Sequence, residues 1–412
     1  MTLQVKKRIE QIRRGEVPEG YKKTKVGIVP SGWMEDNLGK YLLEYRELSN
    51  DIEKYPVYSS SRQGLMPQSQ YYDNREAVET NLGYKIVPNG YVTYRHMSDD
   101  DVFHFNVNDV GGSVLVSSEY PVFTSAEKGR LGYIIPMLNN TARFRYFCRT
   151  QKMGGTRTRL YYKNLCSYRT TFPPLAEQER IAEILSAQDK VIALKERLIE
   201  EKKRQKKALM QQLLTGKKRL PGFSSEWVDV KLGDVFAERV ETNCQDLELL
   251  SVTGTNGVVP RSTIETKDNS SEDKSKYLKI CKGDIGYNTM RMWQGVSALS
   301  NYEGIVSPAY TILVPSEKIC AEYFSYLFKM HAVIFLFYRF SQGIVDDTRS
   351  LKYHEFAKLH LIVPSDKREQ EAIAKILATA DAEITILQKE LDQEKQKKKA
   401  LMQLLLTGIV RV

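Results

Sequence analysis

Two stretches of the chain carry the spacing of a long amphipathic helix. Neither Pro nor Gly interrupts Leu175 to Leu214, where Leu185, Ile192, Ile199 and Leu213 share one position of a seven-residue pattern and Leu209 takes the other. From about Asp366 to Leu406, Leu377, Ile384, Leu391 and Leu405 share one position, and Ala380, Leu387 and Leu401 the other. Such a seam predicts two helices, each roughly 60 Å long, that pair as a coiled coil. Packing of each helix on its own neighbouring domain is the alternative. Pro173-Pro174 suit the start of the first helix, and Glu177 and Glu179 place negative charge at the positive end of its dipole. Both helices are expected to stop at Thr-Gly, with Gly216 and Gly408 in the left-handed residue beyond the last turn. Elsewhere the pattern is shorter. GYVTY, SVLV and YTILV read as strands between turn signals, and FRYFCR and EYFSYLFKMHAVIFLFY as apolar helices.

The elements occur twice. At a shift of about 193 residues, Trp33, Leu38 and Gly39 fall on Trp227, Leu232 and Gly233. Gly64 and Pro67 fall on Gly257 and Pro260, and Tyr84, Gly90 and Tyr94 on Tyr277, Gly283 and Tyr287. The stretch Glu177 to Gly216 falls on Glu369 to Gly408 without a gap, with about half of the positions identical. A period this long means two copies of a whole domain plus a connecting helix. The expected architecture is α+β: two similar mixed α/β domains separated by two long antiparallel coiled-coil helices, with pseudo-twofold symmetry. The expected boundaries are a helical segment at 1–20, a domain at 21–172, a long helix at 173–219, a second domain at 220–364 and a second long helix at 365–412. Lys6 to Gly15 resembles the end of each long helix, so residues 1–15 are expected beside the C-terminal end of the second one.

Composition narrows the chemistry. The chain has 61 Lys and Arg against 51 Asp and Glu, a net charge of +10 that suits a phosphate-bearing partner. No apolar run reaches the ~18 residues of a membrane span, and the first residues lack the apolar stretch of a signal peptide. Five scattered cysteines without a CxxC argue against zinc ribbons and disulfide frameworks, and suggest a cytoplasmic protein with reduced thiols. No phosphate loop, no GxGxxG after a strand and no metal spacing among the histidines is present, so neither a catalytic nor a metal site is expected. Glu272-Asp273-Lys274 with Asp268 upstream has the spacing of a metal-dependent nuclease, but in a polar tract that reads as a solvated loop.

Nucleic-acid binding is better supported. Ala142 to Arg169 holds eight Lys or Arg, no acidic residue and interleaved aromatics. Within it Gly154-Gly155 starts a turn that presents Thr156, Arg157 and Arg159, with Lys163 beyond. Arginine can take O6 and N7 of guanine, and hydroxyls can take phosphate. The second copy has a weaker counterpart at Gly343 to Lys352, with Thr348, Arg349 and Lys352, where Asp346 and Asp347 intrude. Two further loops match between copies. Tyr94, Arg95 and His96 correspond to the loop carrying Asn288, Arg291, Trp293 and Gln294. Arg62 and Gln63 correspond to Asn256, with Arg261 following. Different polar side chains on matched loops suggest two related readers of different sequences. Lys206 and Lys398, which interrupt the helix seam, are read as solvated ends or as DNA contacts. A scaffold indifferent to DNA remains the alternative.

PPLAEQERIAEIL with KKALMQQLLTG, repeated as REQEAIAKIL with KKKALMQLLLTG, resembles the conserved regions of the specificity subunits of Type I restriction–modification enzymes. KGDIGYNTMRMWQG and GIVSPAYTILVP also resemble segments of their target-recognition domains. The second helix entry departs from the usual PPLxEQ by reading VPSDKREQ. The resemblance implies a non-catalytic chain whose two domains each read one half of a split double-stranded DNA target. It implies helices that set the spacer and dock two methylation subunits, with restriction subunits joining the complex. S-adenosylmethionine, magnesium and ATP would then belong to the partners, and this chain would hold no cofactor.

Overall fold

The computed structural model describes residues 3–71, 83–152, 154, 156–254, 257–264, 270–343 and 348–412. It divides into two compact units, Met1–Lys195 with Glu390–Val412, and Glu196–Lys389. The first long helix is Leu175–Leu213 and the second Lys367–Leu405, 39 residues each. Each unit therefore holds one globular domain, the head of the helix that follows it and the tail of the other.

In the first unit, a four-stranded antiparallel sheet runs in the order Asn106–Val107, Val92–Thr93, Val122–Ser125, Leu42–Tyr45. In the second, the order Ser297–Leu299, Ile285–Asn288, Tyr310–Pro315, Phe236–Glu238 is the same arrangement built from the repeat-equivalent segments. Hairpin Tyr58–Ser61 with Gly64–Pro67 matches hairpin Leu250–Thr253 with Gly257–Pro260. The strand before each long helix also pairs alike: Arg169–Phe172 lies on Met34–Asn37, and His360–Pro364 on Trp227–Lys231.

The unbroken apolar runs follow from burial on both faces. Phe123 joins the main core of the first unit, whereas its neighbour Val122 joins a small cluster with Val87, Val114 and Val116. Leu313 and Ile312 divide in the same way between two clusters of the second unit. Successive strand side chains point to opposite faces, so both neighbours can be apolar only when both faces are covered. The run EYFSYLFKMHAVIFLFY is two helices, Ala321–Leu327 and His331–Phe340, because Met330 adopts extended backbone between them. Their counterparts are Leu131–Asn140, which the sequence pattern did not mark, and Ala142–Thr150.

The helix seam divides into two kinds of position. Leu185 and Leu405, with Leu401 at the edge, enter the core of the first domain, and Leu213 and Leu377, with Leu209 at the edge, that of the second. Ile199 and Ile384 are also buried, while Ile192, Leu387 and Leu391 are half-buried further along the helices. Helix pairing and packing on the domains thus both occur. Polar contacts between the helices run antiparallel. In the first unit Gln188 bonds Glu394 and Lys195 bonds Glu390; in the second Lys202 meets Glu383 and Lys206 meets Asp381. The solvated or DNA-contacting roles read for Lys206 and Lys398 give way to ion pairs, because Asp381 and Asp189 stand opposite them at 2.6 and 2.5 Å.

The repeated EQ pair anchors each helix. Glu177, buried, receives Arg411 through both carboxylate oxygens at 2.9 and 3.1 Å, and the Trp33 indole at 3.2 Å. Glu369, 0% exposed, receives Arg219 twice at 2.7 Å. Gln178 bonds Pro173 and Lys128 carbonyls and accepts from the Arg130 amide. Gln370 does the same with Pro364 and the Cys320 amide. Glu177 therefore acts chiefly through a bidentate ion pair, more than through the dipole. Gly216 and Gly408 take φ of +70° and +71°, and the chain turns back over Trp227 and Trp33 respectively. The N-terminal helix Leu3–Arg13 lies against this end of the second long helix, with Arg8 donating to the Ile409 carbonyl at 2.7 Å.

Candidate nucleic-acid interface

In the first unit the matched loops meet at a cleft of about 410 Å³ lined by Arg62, Gln63, Arg95, Ser98, Asp99, Phe103 and His104 among others. Arg62 and Gln63 form the tip of hairpin Tyr58–Ser61/Gly64–Pro67. The tip is fixed locally. The Gln63 amide donates to Ser61 Oγ, Gly64 takes φ +121°, and Asn106 Nδ2 donates to Ser60 Oγ and the Ser61 carbonyl. Strand Met97–Ser98 pairs with Thr158–Arg159, which carries the Arg157 loop to the same rim. Three consecutive carboxylates then take three partners: Asp99 holds Arg157 at 2.7 Å, Asp100 holds Arg62 at 2.6 Å, and Asp101 accepts from the Thr158 hydroxyl. Burial raises the Asp100 pKa, but the Ser98 hydroxyl and Arg62 outweigh it and hold the carboxyl below its ordinary value. Thr156, Arg159 and Lys163 are exposed nearby in sequence, and Arg95 is half-buried on the cleft wall.

Two residues read as DNA contacts are core residues instead. Tyr94 is 0% exposed, and its hydroxyl donates to the Leu160 carbonyl at 2.9 Å. Its repeat-equivalent Tyr287 is equally buried and donates to the Leu351 carbonyl at 3.1 Å. Each tyrosine ties the sheet to the segment that returns from the basic loop. His96 is 3% exposed and stacks on Tyr161 at 5.5 Å, and burial pushes its pKa down. Neither side chain can reach a base without leaving the core.

In the second unit the counterpart loop leaves strand Ile285–Asn288 and forms the turn Met292–Gln294. Asn288 Oδ1 accepts from the Met290 amide, and the Trp293 indole donates to the Met290 carbonyl at 2.9 Å. Arg291 and Gln294 remain exposed. Lys329 reaches under the loop and donates to the Gly295 and Ser297 carbonyls, and burial pushes its pKa down to about 8. Leu351 N donates to Thr289 O, bringing the second basic segment alongside. There Arg349 lies 4.1 Å over the Tyr338 ring, and Trp293 meets the same ring edge-on at 6.1 Å. Thr348 and Lys352 are exposed, and Arg261 sits half-buried in the turn after the matched hairpin. Asn256, Gly155, Asp268, Asp346 and Asp347 lie outside the described residues.

Sequence reasoning missed the Asp99–Asp101 turn, Tyr338 and Lys329. Tyr338 follows Phe337, a core residue of helix His331–Phe340, and the exposed Phe335 stacks on it from one turn back. A second aromatic face beside the core face was the available signal. The nuclease-like tract is taken up by its own turn: Asp273 accepts from the Ser275 amide and Lys274 donates to the Ser271 carbonyl. Among the described residues no group of His, Cys, Asp and Glu could hold a metal ion. None of their helices is long and apolar enough to cross a membrane.

The family model described as Type I restriction modification DNA specificity domain matches this chain twice, at residues 40–204 and 224–395. The chain belongs to the specificity subunits of the type I restriction–modification enzymes. It is 23% identical to the "Putative type I restriction enzyme MjaX specificity subunit" of Methanocaldococcus jannaschii, over 96% of this chain and 97% of that one. A crystal structure of the type I restriction–modification S subunit from M. genitalium has the same fold, with a TM-score of 0.55 at 13% identity, covering 90% of this chain and 96% of that one. A chain from a structural study of assembly and conformational transition in the type I system gives 0.52 at 15%, covering 93% and 99%.

Proposed function

We propose that this chain reads DNA for a type I restriction–modification complex, each globular domain taking one half of a two-part duplex target. The observation that supports it best is a matched scaffold with unmatched loops. Both domains keep the same sheet order, the same buried tyrosine and the same Glu–Arg anchor, yet carry Arg62, Gln63, Arg95 and Arg157 in one and Asn288, Arg291, Trp293 and Gln294 in the other. Guanidinium and amide groups are the side chains that make paired hydrogen bonds to guanine and adenine edges. In this reading the long helices set the spacer and dock two methylation subunits, and restriction subunits join through the complex. The chain has no catalysis of its own, and S-adenosylmethionine, magnesium and ATP sit on the partners in the cytoplasm.

The test uses the chain purified with its methylation subunits. Methylated sites should consist of two defined half-sites at one fixed spacing. Four residues inserted after Lys195 and four after Lys389 add roughly 6 Å to each helix, or between one and two base pairs at about 3.4 Å each. The half-sites should stay the same and the spacer should lengthen. An unchanged spacer at full activity would count against the helices as the ruler, and methyl transfer by the chain alone would overturn the non-catalytic assignment.

A further inference from the structure

Carboxylates on a surface that approaches phosphates are repelled by them, so three in a row at the rim of the first cleft call for a reason. In MSDDDVF each takes a different partner. Asp99 Oδ1 lies 2.7 Å from Arg157 Nε, Asp100 Oδ2 lies 2.6 Å from Arg62 Nη2, and Asp101 receives the Thr158 hydroxyl. The two arginines come from segments far apart in the chain, one from a hairpin tip and one from the basic loop, and this turn is where they converge. The turn is itself held rigid. Ser98, buried, donates to Asp100 Oδ1 at 2.9 Å and accepts from the Val102 amide at 3.1 Å. Asp101 takes φ +62°, a left-handed conformation shared among the described non-glycine residues only by Asn243. Ladder pairing of Met97 with Arg159 and Ser98 with Thr158 fixes the turn against the arginine loop.

We infer that Asp99 and Asp100 are positioning residues for the first half-site: they tether Arg157 and Arg62 in the orientation from which those side chains read bases. This rests on the DNA-reading role proposed above. The atoms fit it. Arg157 is held through Nε, which leaves the paired donors of both terminal nitrogens, and Arg62 through one hydrogen of Nη2, which leaves that nitrogen's second hydrogen beside a parallel donor on a neighbouring nitrogen. A bidentate contact to guanine needs two donors in one plane. Tethering also removes rotamer freedom before DNA arrives, so less is lost on binding. Without its carboxylate, each arginine becomes a mobile cation that favours any phosphate. Positioning and charge therefore predict opposite outcomes. Losing a carboxylate removes repulsion and strengthens binding to any duplex, whereas losing a tether weakens discrimination.

The experiment compares D99N and D100N in the full chain with its methylation subunits, measuring affinity for cognate and random duplex across a salt series. Random-duplex affinity should hold or rise, cognate affinity should fall, and their ratio should drop about tenfold for each variant. Methylated sites should lose definition in the first half only. D99E, which keeps the charge on a longer arm, should recover part of the ratio. R157A should lose as much discrimination alone as together with D99N, because Asp99 acts through Arg157. Equal gains in cognate and random affinity, or additive losses in the double variant, would overturn the inference. Absence of any cognate preference in the unaltered complex would instead sink the DNA-reading role.

Discussion

Arg219 grips Glu369 through both carboxylate oxygens, each at 2.7 Å, at the point where the second long helix leaves its domain. Its repeat-equivalent, Arg411 on Glu177, does the same in the other unit. The arginine follows the tail of one helix, and the glutamate heads the other. Replacing Arg219 by Ala strands a buried carboxylate, but the Arg219 side chain is itself 32% exposed and water can enter the gap, so the cost should fall below the about 3–5 kcal/mol of a fully buried pair. Glu369→Gln removes the charge and should cost less. The double variant should be more stable than Arg219→Ala alone. Thermal unfolding of the three variants checks the order.

Gly408→Ala should destabilise more than Gly216→Ala. Both positions are left-handed, which costs an L side chain roughly 1–2 kcal/mol. At Gly408 an added Cβ would also meet Pro30 Cδ at 2.6 Å, whereas at Gly216 the nearest atom is Trp227 Cε2 at 3.3 Å. Denaturant melts of the two variants would show the difference as separate shifts in midpoint at constant slope.

Lys329 gives the second domain a pH signature. Burial lowers its pKa to about 8 from the ordinary 10.5, so the unfolded chain binds more protons between those values. Stability from this group is then fully present above pH 10.5 and is lost as pH falls through about 8. Relative to Lys329→Met, the native chain should gain stability as pH rises from 8 to 10.5. A constant difference between the two across that window would show that the ammonium is not desolvated.

Much of this fold was legible because the chain carries it twice. The 39-residue helices, their glycine ends and the matching strands all followed from periodicity and repetition. The same repetition held a signal that went unused. Tyr94 has a tyrosine partner in Tyr287, and identity between copies marks what both domains need for packing. Arg95, the next residue, falls on Asn288 in the other copy, and it lines the cleft. Large apolar and aromatic residues shared by both copies, such as Leu38 with Leu232 and Tyr94 with Tyr287, are core, and polar loop residues that differ are the candidates for reading. The acidic turn stayed hidden because Arg62 and Arg157 meet Asp100 and Asp99 only after folding brings distant segments together. Charge counts along the chain cannot show that.

One chain carries two separable readers, and the map of methylated sequences in cells holding this chain and its methylation subunits tests that directly. Three versions are compared: the native chain, Arg157→Ala with Arg159→Ala, and Arg291→Ala with Gln294→Ala. Each lost base contact should cost about 1–3 kcal/mol of discrimination. The first pair should relax the sequence of one half-site only, the second pair the other only, with the spacer unchanged in both. Relaxation of both half-sites by either pair, or no change from both, would contradict the account.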